Sequence, residues 1–199
     1  MKDSGILEEA ERPLSMNSNM FMLWLFIGSI AMLFVAFTSA YIVRVADAPP
    51  INVQMPLSFW LSSGVILLSS LTVIMALKAA KQDAFSSVRL WMWISFVLGI
   101  AFLFLQVKGW GELVLAGHPF AGKFNWHPAG SFYYILSGLH GLHLISAVIW
   151  LVVVVIKSEQ KKIHSKKLNN IQMFTTYWHF LDLLWIYLFV FLLVNNSIA

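Results

Sequence analysis

Five long apolar runs divide this chain, and polar or basic stretches separate them. They cover about residues 20–43, 57–77, 90–107, 129–156 and 171–194, after a polar segment at 1–19. A helix needs about 20 apolar residues to cross the hydrocarbon core of a bilayer. Each run therefore predicts one spanning helix. The expected fold class is all-α: a polytopic membrane protein built as a bundle of five transmembrane helices.

The punctuation between the runs supports this division. Arg44, Asp47, Pro49 and Pro50 close the first run. The second is rich in serine, at Ser58, Ser62, Ser63, Ser69 and Ser70, which favours close helix approach and hydroxyl bonds to the backbone. Lys78 to Arg89 reads as a basic loop, after which Trp91 and Trp93 open the third run as interface anchors. The third pattern resumes past Lys108 towards Leu115. Gly117 to Pro128 reads as turns, and Lys157 to Lys167 as a loop with five lysines.

Charge then gives the orientation. With the N-terminus inside, the inner segments carry Lys2, Arg12, Lys78, Lys81, Arg89, Lys157, Lys161, Lys162, Lys166 and Lys167, ten of the 13 basic residues. The outer segments carry the other three: Arg44, Lys108 and Lys123. This bias predicts a cytoplasmic N-terminus and a periplasmic C-terminus. No internal repeat is evident, which gives no support to an inverted-repeat transporter.

Composition narrows the class. Hydrophobic residues make up 59% and charged ones 11%, against about 25% charged in soluble domains. The net charge of +4 is explained by topology rather than by nucleic-acid binding. With no cysteine, disulfides, iron–sulfur clusters, Cys-x-x-Cys-His haem attachment and a two-cysteine copper site are excluded. The first 19 residues hold four acids and two bases, so no cleavable signal peptide is expected.

Two runs carry residues that lipid does not favour. The fourth contains Gly138-Leu139-His140-Gly141-Leu142-His143, and the fifth contains His179 and Asp182. Both pairs are three apart, so each projects from one helix face. Ser137 and Gly141 form a small-xxx-small pair suited to close helix approach. The simplest arrangement is a polar seam where spans four and five meet, with imidazole–carboxylate and imidazole–hydroxyl bonds. A metal site or a proton relay is the functional reading of these residue types. A buried network that fixes register and docking is the structural one. Contact with a lipid headgroup or a neighbouring subunit is the third.

Other candidates have plainer explanations. His118 and His127 each precede proline in a turn, and His164 sits among lysines. Glu112 follows Lys108 by four residues, an ordinary helix-end pair. The 16 Phe and 9 Trp are expected mainly on the lipid face and at the interfaces. Three histidines inside the spans are too few for a haem–copper catalytic subunit. No GxSxG, phosphate loop or HExxH is present.

The sequence resembles subunit III of the haem–copper respiratory oxidases. Tyr177-Trp178-His179-Phe180-Leu181-Asp182-Leu183-Leu184-Trp185 is similar to that family's last-helix signature, YWHF-x-D-x-x-W. The G-x-H-G-x-H of residues 138–143 is another match, as are Trp24-Leu25-Phe26-Ile27-Gly28-Ser29, like W-x-F-I-x-S, and the Leu105-Gln106 pair. The resemblance covers the chain in order and implies the short bacterial form, with five helices rather than seven. Many members carry a glutamate where this chain has Ile30, and an acid where it has Gly109.

The resemblance implies a non-catalytic subunit of a proton-pumping terminal oxidase of the aerobic electron transport chain, multi-pass in the bacterial inner membrane. Haem and copper are expected in partner subunits and none in this chain, with bound phospholipid. Expected partners are subunits I and II, a small subunit IV, membrane lipids and a larger respiratory supercomplex. His140, His143, His179, Asp182, Trp178 and Trp185 are expected to be structural, forming the polar seam and lipid or subunit contacts. No catalytic, cofactor-binding or metal residue is assigned. The short branch also includes quinol oxidase subunits and homologues associated with nitric oxide reductase. A small transporter or channel is the alternative of another class.

Overall fold

The computed structural model describes residues 18–46, 55–120, 128–159 and 168–198, all in helices or the short turns beside them. The helices are α1 (Ser18–Ala46), α2 (Leu57–Lys81), α3 (Phe85–Leu115), α4 (Pro128–Glu159) and α5 (Asn169–Ile198). Each is long and apolar enough to cross a membrane, and no strand occurs among the described residues. The segment 1–17 and the loops holding Lys123, His127 and His164 lie outside the described residues.

Every helix outruns the apolar window that predicts it. The stretch from Lys78 to Arg89 is the clearest correction. It is not a loop: Lys78 and Lys81 occupy the last turn of α2, and Arg89 lies on α3. Charge does not end a helix, and lysines in a last turn favour the carboxyl end of the helix dipole. Asp83 makes the break, at φ 53°. Its amide donates to the Ala80 carbonyl at 3.3 Å and that of Ala84 to the Ala79 carbonyl at 3.1 Å, the Schellman pattern that satisfies terminal carbonyls. The same device ends α3, where Gly117 sits at φ 87° and His118 N–H reaches the Leu113 carbonyl at 3.0 Å.

α2, α3, α4 and α5 form a ring in which each helix packs on its two neighbours, and α1 docks against α4 and α5. α1 buries one stripe, Leu23, Ile27, Ile30, Phe34, Thr38 and Tyr41, at spacings of three or four that keep one helical face inward. Its other faces are apolar and exposed, as expected of a helix whose solvent is lipid. The centre of the ring is aromatic. Trp178, Trp185, Phe59, Phe102 and Phe174 are all buried, while Trp24, Trp60, Trp93 and Phe104 stand exposed on the outside as expected, so the aromatics divide between the core and the lipid face. In hydrocarbon no hydrophobic drive joins helices, and dense packing must do so.

The open end of the α2–α3 hairpin is also tied by charge. Pro56, before α2, supplies no side-chain cap. Instead Glu112 of α3 accepts the Ser58 hydroxyl at 2.5 Å and the Ser58 amide at 3.4 Å. A carboxylate thus meets the positive end of the α2 dipole from a neighbouring helix. This replaces the expected pairing of Glu112 with Lys108, because Ser58 offers Glu112 both donors of a helix start. Glu112→Gln is expected to cost about 1 kcal/mol, read as a lower thermal midpoint of the detergent-solubilised protein. An unchanged midpoint would remove this trans-cap.

Candidate functional site

In the stretch from Tyr177 to Trp185, three side chains, Trp178, His179 and Trp185, find their polar partners among the serines of α2. The Trp178 indole N–H donates to Ser69 Oγ at 3.1 Å, and the Trp185 indole N–H to Ser63 Oγ at 3.0 Å. Ser70 Oγ lies 2.7 Å from His179 Nδ1. The two tryptophans are seven residues apart and their serine partners six, close to two turns on each helix, so the contacts repeat along an antiparallel pair.

The chemistry of the hydroxyl explains why serine suits these places. Ser63 donates its proton to the Phe59 carbonyl at 2.8 Å, and Ser69 to the Ile66 carbonyl at 2.8 Å. Each oxygen keeps lone pairs that only a donor can use, and indole is a donor with no acceptor. The same logic sets α3 against α2, where Gln106 Nε2–H donates to Ser62 Oγ at 3.0 Å while Ser62 donates to the Phe59 carbonyl at 3.0 Å. It sets α3 against α4 as well, where Trp110 Nε1–H reaches Ser137 Oγ at 2.8 Å.

Asp182 lies between the two tryptophans on the same face of α5, 3% exposed. Its Oδ2 is 3.7 Å from His179 Nδ1, and neither carboxyl oxygen makes a hydrogen bond. The His179 side chain is 27% exposed, so the pair opens outward at the imidazole. An ionised carboxylate in such a place is costly without partners.

The histidines of α4 do not join this pair. His140 is fully buried against Trp185, with ring centroids 5.3 Å apart, and against Phe102 at 5.8 Å. Neither of its ring nitrogens has a hydrogen-bond partner. His143 turns towards α1, 5.8 Å from the Phe34 ring, and its Nδ1 lies 2.7 Å from the Leu139 carbonyl of its own helix. The seam thus lies between α2 and α5, not where α4 meets α5. Residues three apart on a helix differ by about 60° in direction, and α4 touches three helices, so His140 and His143 enter different grooves. The α4–α5 contact is instead held by hydroxyls, Ser146 Oγ standing 2.9 Å from Tyr177 Oη.

Other expected features also move. Ser137 and Gly141 admit no close helix: Ser137 accepts the Trp110 indole, and a Cβ at Gly141 would meet nothing within 4 Å. His118 ends α3, where its carbonyl accepts the Tyr134 hydroxyl at 2.8 Å. Among the described residues no group of three or more His, Asp or Glu gathers at metal-binding distance. Sequence reasoning missed the pairing of the α2 serines with the α5 tryptophans. Its signal was present, as serines at 62/63 and 69/70 against tryptophans at 178 and 185, both repeating every seven residues.

The family model for cytochrome c oxidase subunit III matches residues 12–197. The chain belongs to the cytochrome c oxidase subunit III family. It is 30% identical over 190 residues to cytochrome c oxidase subunit 3 of Alkalihalophilus pseudofirmus, covering 93% of this chain and 91% of the relative. To cytochrome c oxidase subunit 3 of Bacillus subtilis it is 27% identical over 170 residues, covering 83% and 81%. To cytochrome bo(3) ubiquinol oxidase subunit 3 of Pseudomonas aeruginosa it is 26% identical over 177 residues, covering 86% and 82%. The chain is a subunit III of a haem–copper terminal oxidase, a multi-pass protein of the bacterial inner membrane whose partners are other subunits of the complex.

The two departures from the resemblance acquire a structural account. Ile30, in place of glutamate, is 3% exposed on the inward stripe of α1 and needs no polar partner there. At Gly109 an added Cβ would fall on the ring edge of Phe59, 2.7 Å from its Cδ1. The phenyl ring of α2 fills the space that an acidic side chain would require.

Proposed function

We propose that this subunit is non-catalytic and serves as a rigid docking body for subunit I of a proton-pumping oxidase. It acts beside subunit II and a small subunit IV, with its N-terminus cytoplasmic and its C-terminus periplasmic. Haem and copper are held by partner chains. The supporting observation is the seam between α2 and α5, in which three paired contacts fix one register and His179 reaches the outer surface. His140, His143, His179, Asp182, Trp178 and Trp185 are structural in this reading. Phospholipid sits in the groove between α1 and α4, a cavity of about 880 Å³ whose wall includes Ala36, Ala40 and Phe132 beside Arg44. Those residues offer apolar wall for a chain and a guanidinium for a phosphate. The subunit thereby sustains oxygen reduction and proton uptake by its neighbour, with cytochrome c as the electron donor. A quinol donor is the second reading, favoured by the Pseudomonas aeruginosa relative.

A transporter or channel would need an unbroken polar path, whereas the seam's indole and hydroxyl groups are spent on one another. Purification from native membranes by a C-terminal tag tests the assignment: haem should appear in the visible spectrum, and its absence would sink it. Asp182→Asn tests the structural reading. Stability should change by about 1 kcal/mol or less, with assembly and oxygen uptake moving together and the proton-to-electron ratio unchanged. Normal assembly with abolished pumping would refute this role and make Asp182 a relay.

A further inference from the structure

The seam between α2 and α5 carries a polar edge on its outer side, at the imidazole of His179. The neighbours of that ring place its proton. Ser62, Ser63, Ser69 and Thr72 of α2 each give their hydroxyl proton to a carbonyl three or four residues back. Ser70 does not, and its hydroxyl meets His179 Nδ1 at 2.7 Å instead. Asp182 Oδ2 stands 3.7 Å from the same nitrogen, beyond hydrogen-bond range. Ser70 therefore donates to Nδ1, and the neutral ring carries its own proton on Nε2.

Nε2 lies on the opposite edge of the ring from the seam. The side chain is 27% exposed, and Nε2 is not sealed in the core as both ring nitrogens of His140 are. Among the described residues nothing accepts its hydrogen. Depth limits what else can. The span runs Asn169–Asn195, so Asp182 is its middle residue and His179 lies three residues, about 4.5 Å, from the middle. A hydrocarbon core about 30 Å thick then leaves the nearer lipid headgroups about 10 Å away. Water is scarce at that depth, and an unpaired donor there is costly. The ground around the ring is apolar and stands out from the bundle. Leu67 and Ile74 share the α2 face of Ser70, and Leu183 lies one turn along α5 from His179, all three exposed. A donor in such a collar fits the side of another spanning helix, which offers hydroxyls and carbonyls at every depth. The acceptor is best neutral, because a partner carboxylate would add a second acid beside Asp182.

We propose that His179 Nε2–H donates to a neutral oxygen, a hydroxyl or a backbone carbonyl, on a spanning helix of subunit I, so that the outer face of α2 and α5 is the docking surface. This rests on the docking role proposed above and names the bond that fixes its depth and rotation. Ser70 holds the ring from behind, and Leu67, Ile74 and Leu183 close the contact to lipid.

Photocrosslinking of the assembled oxidase in native membranes tests this. Cells are grown on photoleucine, which keeps the shape of leucine, and crosslinks are mapped by mass spectrometry. Leu67 and Leu183 should both join one spanning segment of subunit I. Two variants then test the bond. His179→Gln keeps a donor near the place of Nε2, whereas His179→Asn keeps only a partner for Ser70. The asparagine variant should lose subunit III from the detergent-diluted complex about three- to tenfold faster than wild type, and the glutamine variant at nearly the wild-type rate. Adducts of lipid or quinone alone at Leu67 and Leu183, crosslinks to a different chain, or equal rates for the two variants would overturn the proposal while the haem that copurifies upholds the docking role. A preparation without haem would sink that role and this bond with it. The crosslinks of the wild-type chain decide the surface even where a variant fails to assemble.

Discussion

Trp185→Ala is expected to cost about 3–5 kcal/mol and to leave the oxidase purified without this subunit. The indole ring is the hub of the helix ring: its centroid lies 5.2 Å from Phe102, 5.3 Å from His140 and 5.9 Å from Phe59. Removing it opens a cavity that touches α2, α3 and α4 together, and lipid cannot enter to fill it. It also strips Ser63 of the donor it accepts at 3.0 Å. Ser63→Ala separates the two losses, because it leaves the ring and removes only the acceptor. That variant should cost about 1–3 kcal/mol, the penalty of an unpaired buried donor. The measurement is the ratio of subunit III to haem in complexes isolated through a tag on a partner, followed with rising detergent or temperature. If Trp185→Ala copurifies as the wild type does, the seam is not what holds this bundle.

Gly109 carries the second large effect. Gly109→Ala should destabilise by about 1–3 kcal/mol, the usual cost of overpacking. Gly109→Asp, which introduces the acid expected at this place in many members, should prevent assembly, since the clash is joined by a buried carboxyl with no partner. The obstacle is Phe59, whose ring is 1% exposed and wedged edge-on against Trp185. It cannot swing away without moving the core. Phe59→Ala alone creates a cavity, but combined with Gly109→Asp it frees the space. The double variant should therefore be more stable than the sum of the single effects by about 1 kcal/mol or more, as touching residues are coupled. Strict additivity in thermal midpoints would show that Phe59 is not what excludes a side chain at 109.

These two results lie at the point where sequence and structure diverge. Five helices were legible because apolar runs of spanning length have few other folds open to them in lipid. The family was legible because YWHF-x-D-x-x-W and G-x-H-G-x-H are local patterns, read without knowing what they touch. The turn that begins at Gly117 was legible for the same local reason. Asp83 was not: a lysine-rich stretch looks like a loop, and only the left-handed backbone at Asp83 shows where the turn falls.

The polar contacts divide in the same way. The sequence by itself determined that His140, His143, His179 and Asp182 need protein around them, because ionisable groups do not face lipid cheaply. It also determined that α2 offers hydroxyls along its length. Only the tertiary structure decided which meets which: Ser63 with Trp185, Ser69 with Trp178, Ser70 with His179, and His140 with no donor or acceptor. A helix facing three neighbours can direct one residue into any of several grooves, and a rotation of about 60° separates them. Pairing between distant helices follows from how bulky rings such as Trp185 and Phe59 fill the ring's centre, and that is a property of the assembled bundle rather than of any one segment.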